Sequence, residues 1–188
     1  MSERVDASPM LSRYLVQGVS GSGKSTFATA LAAALDAPYL ELDSLFHQPG
    51  WTPLELEEFR TSVRRVVEED RWVVDGNYSQ VRDLVWDRAD VVIFLDLSRS
   101  LVMQRVIRRT LSRLLRRQVL WHGNRESWRN LFSGDPSINI ILWSWTTHAK
   151  YHHLVPAEAR AQCDHAEVVV LRRPRDVRAF LNSRNGAP

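Results

Sequence analysis

With 188 residues, 44% of them hydrophobic and 25% charged, the chain is long enough for one well-buried domain, short for two, and balanced like an ordinary globular protein. No stretch approaches the roughly 20 apolar residues of a membrane span. The opening MSERVDASPM lacks a secretion pattern and Cys163 stands alone, which excludes an internal disulfide or a multi-cysteine metal site; a cytoplasmic protein is expected. The formal charge of +3 is mild, yet all but Lys24 and Lys150 of the 25 basic residues are arginine. GC-rich coding would itself produce that bias, but not the clustering described below.

Residues 1–12 read as a loose polar lead-in, 13–184 as a single domain and 185–188 as a tail. Short, nearly continuous apolar runs at Tyr14-Leu15-Val16, Tyr39 to Leu42, Trp72-Val73-Val74, Val91 to Leu95 and Val168 to Leu171 predict parallel strands covered on both faces. Between them lie helical candidates: alanine-rich 24–35; 54–69, with Leu56, Phe59, Val63 and Val66 at helical spacing; a basic 98–117; an aromatic 127–150 with a break near Gly134-Asp135-Pro136; and 175–183. Alternation of this kind predicts an α/β sheet, with Gly18, Asp43, Asp75 and Asp96 at the carboxyl ends of strands, where such sheets bind ligands.

The segment Gly18-Val19-Ser20-Gly21-Ser22-Gly23-Lys24-Ser25 fits G-x-x-x-x-G-K-[ST], after an apolar strand and before a strong helix former. Glycines there let consecutive amides turn toward an anion, and the helix N-terminus adds partial positive charge. Lys24 would reach the β- and γ-phosphates, Ser25 would bind Mg²⁺, and Thr26 would support them. A second carboxylate is needed for the metal. Asp75, followed by the turn Gly76-Asn77-Tyr78, is the choice; Asp96 is read instead as the cap of the basic helix. For Asp43 two readings stay open: it orients or deprotonates an acceptor hydroxyl, or it caps a helix.

From Leu97 to Arg125 the chain has no acidic residue, and Arg105, Arg109, Arg113 and Arg116 share one helical side. A phosphate-closing lid over about 98–150 is expected, with Arg105, Arg109 and Arg113 as its phosphate contacts. The rival is a nucleic-acid backbone contact. Phe46 and Trp51, near Pro49-Gly50, are candidates to line an acceptor pocket. Trp121 to Arg125 reads as a turn at the lid tip, and His148, His152 and His153 as surface residues.

The segments GVSGSGKST, LDSLFHQPGW, WVVDGNYSQVRDLVW and LWHGNRESWRNLF resemble the DNA topology modulation protein (FlaR-type) family, a branch of the adenylate kinase-like P-loop kinases, from about residue 13 to 181. The resemblance implies a nucleoside-monophosphate-kinase-like three-layer fold: a five-stranded parallel sheet of order 2-3-1-4-5 with a helical lid. It implies that Asp75 serves the metal and that Arg172 to Arg175, Arg173 and Pro174 above all, cradle adenine. The stretch Ser44 to His47 lacks the arginine with which adenylate kinases grip a monophosphate. Asn77 and Tyr78 replace part of another such element, and Arg82 is the nearest substitute. The expectation is an ATP- and Mg²⁺-dependent phosphotransferase acting on a small molecule or nucleotide. The alternatives are an ATP-regulated nucleic-acid-binding protein or a bare NTPase.

Overall fold

The computed structural model describes residues 12–185; the expected lead-in up to residue 11 and the last three residues of the tail lie outside them. Five strands form one parallel sheet: β1 (Arg13–Gln17), β2 (Tyr39–Glu41), β3 (Trp72–Asp75), β4 (Val91–Leu95) and β5 (Glu167–Leu171), in the order β2-β3-β1-β4-β5. Register places Val16 opposite Asp75 on one side and Ile93 on the other. The carboxyl ends of the three central strands therefore open at one edge.

The unbroken hydrophobicity of these strands has a direct cause. Side chains alternate between faces, and helices cover both. Leu15, Val74, Val92 and Phe94 face α3 (Leu56–Val67), α4 (Arg82–Trp86) and α8 (Val155–Gln162), contacting Phe59, Val63, Val85, Trp86 and Val155. Tyr14, Val16, Val73, Ile93 and Leu95 face α1 (Lys24–Leu35) and α9 (Pro174–Asn185), which contribute Phe27, Ala28, Leu31 and Phe180. The result is three layers.

Several elements depart from the sequence expectation. Leu42 does not extend β2; it begins α2 (Leu42–Phe46), a one-turn helix too short to show a period. In α3 the buried line is Phe59, Val63 and Val67, and Leu56 is exposed. The aromatic segment divides into α6 (Trp128–Leu131) and α7 (Ile140–Ala149), interrupted around the expected Gly-Asp-Pro, and α7 runs through a π-turn (Lys150–Leu154) into α8. Basic α5 (Arg99–Leu115) buries Val102, Val106, Thr110 and Leu114 at four-residue steps, and α7 packs against it. No helix among the described residues is long and apolar enough to cross a membrane.

Candidate active site

The loop after β1 folds as its glycines require. The Ser22 amide donates to Val19 O at 3.0 Å, and Gly23, at φ +93°, caps α1 in a left-handed conformation. Gly21 lies under α5: a Cβ there would stand 2.8 Å from Val102 O and 3.1 Å from Val106 Cβ. The basic helix thus lies directly on the phosphate loop. Two of its arginines reach the loop, while Arg108, Arg116 and Arg117 are exposed. Arg105 donates to Ser22 O at 3.0 Å and Arg109 to Ser20 Oγ at 2.8 Å. Burial, aided by repulsion from Arg113, pulls the Arg109 pKa below its usual value, against attraction from Glu126, Asp43 and Glu41. Arg113 is engaged elsewhere: it pairs with Glu126 at 3.0 Å, the first acidic residue after the acid-free run. Ser144 of α7, which no sequence signal marked, donates its hydroxyl to Ser20 O at 3.0 Å.

The turn after β3 braces the loop from the other side. Asn77 donates Nδ2 to Gly18 O at 2.7 Å and accepts from the Gly18 amide at 3.2 Å. Both ends of its side-chain amide are committed to the loop. The turn can approach this closely because Gly76, at φ +142°, has no side chain. A Cβ there would fall 2.7 Å from Leu42 Cβ. Asp75 is fully buried, accepting from the Tyr39 hydroxyl at 3.2 Å through Oδ2, while Oδ1 has no partner. Burial lifts its pKa to about 6, opposed by Lys24 and the adjacent Ser25 hydroxyl. Thr26 is exposed on α1.

Asp43 sits in the first turn of α2, but its side chain caps nothing. Tyr78 donates its hydroxyl to Oδ1 at 2.8 Å, and Lys24 Nζ lies 3.7 Å from Oδ2. Burial works to raise the Asp43 pKa; Lys24, Tyr78, His47 and Arg109 outweigh it and hold the carboxyl below its ordinary value. Tyr78 is pushed the opposite way, by burial and by Asp43, so it stays a donor. Phe46 packs on Phe59 and Tyr78 behind this pair.

The turn Trp121 to Arg125 closes over α2 and the segment that follows it. Trp121 Nε1 donates to Glu41 Oε2 at 2.8 Å, and His122 Nε2 lies 2.9 Å from Ser44 O. Asn124 donates to Gln48 O at 2.9 Å and accepts from the Trp51 amide at 3.0 Å, while the Trp51 indole donates to Arg125 O at 3.2 Å. These contacts hold Trp51 at φ +62°, uncommon for a bulky residue. Two segments singled out separately in the sequence are thus halves of one enclosure.

Three expectations are corrected. Asp96 does not cap α5. It is buried, accepting from Arg172 Nε at 3.3 Å and lying 2.5 Å from His152 Nδ1. His148 is not a surface residue: it is buried with Nε2 3.0 Å from Leu97 O. Arg82 is bound to Glu158 at 3.0 Å and stacked on Trp86, so its charge is already matched, although it lines the same small cavity as Gly76 and Tyr78. Arg173 and Pro174 lie in the exposed turn opening α9, where the Arg173 amide and guanidinium both bond Asp176 at 3.0 Å.

Strand order, a glycine-lined loop between β1 and α1, and an arginine-bearing helix across it define a P-loop fold of the nucleoside-monophosphate-kinase type. No protein-family model and no curated protein matches the chain, so the resemblance to DNA topology modulation proteins finds no counterpart in either comparison. Solved structures do match. A gluconokinase from Sinorhizobium meliloti 1021 is 21% identical over 92% of this chain and 93% of its own, with a TM-score of 0.51. A shikimate kinase from Acinetobacter baumannii in complex with shikimate is 16% identical over 93% and 91%, with a TM-score of 0.53. An uncharacterized protein from Eubacterium ventriosum ATCC 27560 is 13% identical over 92% and 94%, with a TM-score of 0.51. At these identities the likeness establishes the fold.

Proposed function

We propose that the protein is an ATP-dependent phosphotransferase that phosphorylates a hydroxyl group of a small molecule. The carrying observation is the Asp43 carboxylate, 3.7 Å from Lys24 and oriented by Tyr78. A carboxylate kept ionised beside the phosphate lysine suits an acceptor hydroxyl: it accepts that proton while Lys24 faces the phosphoryl group. Two structurally similar proteins bear the names gluconokinase and shikimate kinase, in keeping with transfer to a small acceptor.

In this reading the amides from Ser20 to Ser25 and Lys24 grip the β- and γ-phosphates. Arg105 and Arg109 exchange their loop contacts for γ-phosphoryl oxygens and exclude water, and the nucleotide base lies toward Arg173 and Pro174. A hydroxyl at Ser25 beside the Asp75 carboxylate, whose buried Oδ1 lacks a partner, is an oxygen donor set that fits Mg²⁺ completed by phosphate and water. That ion, when bound, would offset the negative charge of the phosphates. The nucleic-acid reading loses ground because Arg105, Arg109 and Arg113 already have inward partners. The bare NTPase reading loses ground because water needs neither the Asp43–Tyr78 pair nor the aromatic cluster of His47, Trp51 and Trp121 beside it.

The test replaces Asp43→Asn and follows ADP release with a panel of hydroxylated acceptors. Acceptor-stimulated turnover falls about 10²–10⁴-fold while ATP binding by calorimetry persists. A variant as fast as the wild type refutes the role of Asp43, and a wild type that no acceptor stimulates refutes phosphotransfer.

A further inference from the structure

The acceptor end of the cleft is lined by aromatic rings and carboxylates. His47, Trp51 and Trp121 are mutual neighbours. Trp51 stands nearly perpendicular to both others, with centroids 5.4 Å from His47 and 6.4 Å from Trp121, and the His47 and Trp121 rings lie 21° from parallel. Glu41 is fixed at the edge of this wall by the Trp121 indole at 2.8 Å, and Asp43 follows two residues on.

Apart from Arg125, which is exposed at the end of the Trp121 turn, the nearby positive groups have partners. Arg113 is taken by Glu126 and Arg82 by Glu158. Lys24 opens α1, and Arg105 and Arg109 reach the glycine loop from α5, so a bound triphosphate would engage them in place of Glu41 and Asp43. Burial lowers the His47 pKa, leaving the ring uncharged near neutrality. An anionic acceptor would meet two carboxylates at close range, Glu41 held by Trp121 and Asp43 held by Tyr78. A cation gains from the carboxylate and from the negative faces of the rings.

We infer that the acceptor is a hydroxyl-bearing cation of the amino alcohol or amino sugar class. This rests on the phosphotransferase reading and adds the charge of the substrate to it. The ammonium lies against the His47, Trp51 and Trp121 wall beside Glu41, and the hydroxyl donates to Asp43. In the transfer the hydroxyl oxygen forms a bond to the γ-phosphorus and the bond from that phosphorus to the β–γ bridging oxygen breaks. ADP departs, and the hydroxyl proton passes to Asp43 and on to solvent.

The experiment uses the full chain with ATP and Mg²⁺. ADP release is compared for glucosamine, ethanolamine and choline, for neutral N-acetylglucosamine, and for anionic gluconate. Binding of the same compounds is read from tryptophan fluorescence in the presence of a non-hydrolysable ATP analogue. At least one amine is expected to exceed N-acetylglucosamine by tenfold or more in kcat/KM and in affinity. Glu41→Gln, which keeps an acceptor for Trp121, should bring the ratio of that amine to N-acetylglucosamine close to one, and Trp121→Phe should lower it. A preference for gluconate, no binding of any amine, or an unchanged ratio in Glu41→Gln overturns the inference. Amine binding without acceptor-stimulated ADP release sinks the phosphotransferase reading alone, whereas transfer to gluconate keeps that reading and sinks this one.

Discussion

Replacing Gly76 by alanine tests how tightly the site depends on one close approach. The new methyl would stand 2.7 Å from Leu42 Cβ and 2.9 Å from Leu42 Cδ1, and Leu42 is buried, so the clash is not with a loose side-chain end. The backbone at φ +142° adds a conformation nearly closed to residues with a Cβ, costing about 1–3 kcal/mol. Forcing the extra carbon into packed surroundings adds roughly 1–3 kcal/mol. The combined loss of about 2–6 kcal/mol is a large part of the roughly 5–15 kcal/mol that holds a typical domain. With a slope of about 2 kcal/mol per molar urea, the unfolding midpoint falls by about 1–3 M. Gly134→Ala is the control, since nothing lies within 4 Å of its added Cβ, and it should stay within about 0.5 kcal/mol of wild type. Leu42 precedes Asp43, so acceptor turnover in Gly76→Ala should fall further than ATP affinity. A midpoint within about 0.25 M of wild type would refute the packing assigned to this turn.

Further outcomes follow from the same geometry. Asp75, lifted from 3.8 to about 6, keeps a proton in the folded protein that the unfolded chain has released. In the absence of ligands, stability therefore drops as pH rises from about 4 to 6, by about 3 kcal/mol when complete. Urea midpoints at pH 4.5 and 7 should show this in the wild type and much less in Asp75→Asn, and parallel curves would contradict it. Substituting Arg105 and Arg109 together by alanine should reduce turnover by about 10²-fold or more with circular dichroism unchanged, while exposed Arg108→Ala should not; equal effects would deny the inward arginines their role. Asn77→Ala removes two bonds to Gly18, so ATP affinity by calorimetry should weaken by about tenfold, the value of roughly 1–2 kcal/mol. Undiminished affinity would show the loop to be self-supporting.

What was readable in order along the chain concerned local structure. The limits of α1, the start of β3 and the alternation of strands and helices come from short-range periodicity, and the observed strand order matches the one implied by the family resemblance. Short elements were missed for the same reason. In α2 and α4, five residues each, the helical period has no room to appear, and their side chains are held by contacts from distant strands.

The turn of the glycine loop was determined by the sequence itself, because it rests on consecutive residues and on glycines whose freedom is a property of the residue. The partners of Asp43, Asp96, Arg109 and Arg113 were decided only by tertiary structure. All four are charged, and a charge is defined by what faces it. Asp43 meets Tyr78 35 residues away, Asp96 meets His152 56 away, and Arg109 meets Ser20 89 away. Arg113, one step along the same helical side, is instead neutralised by Glu126. No pattern of spacing encodes such pairings, since they arise when the sheet brings its carboxyl ends together and α5 lies down across them.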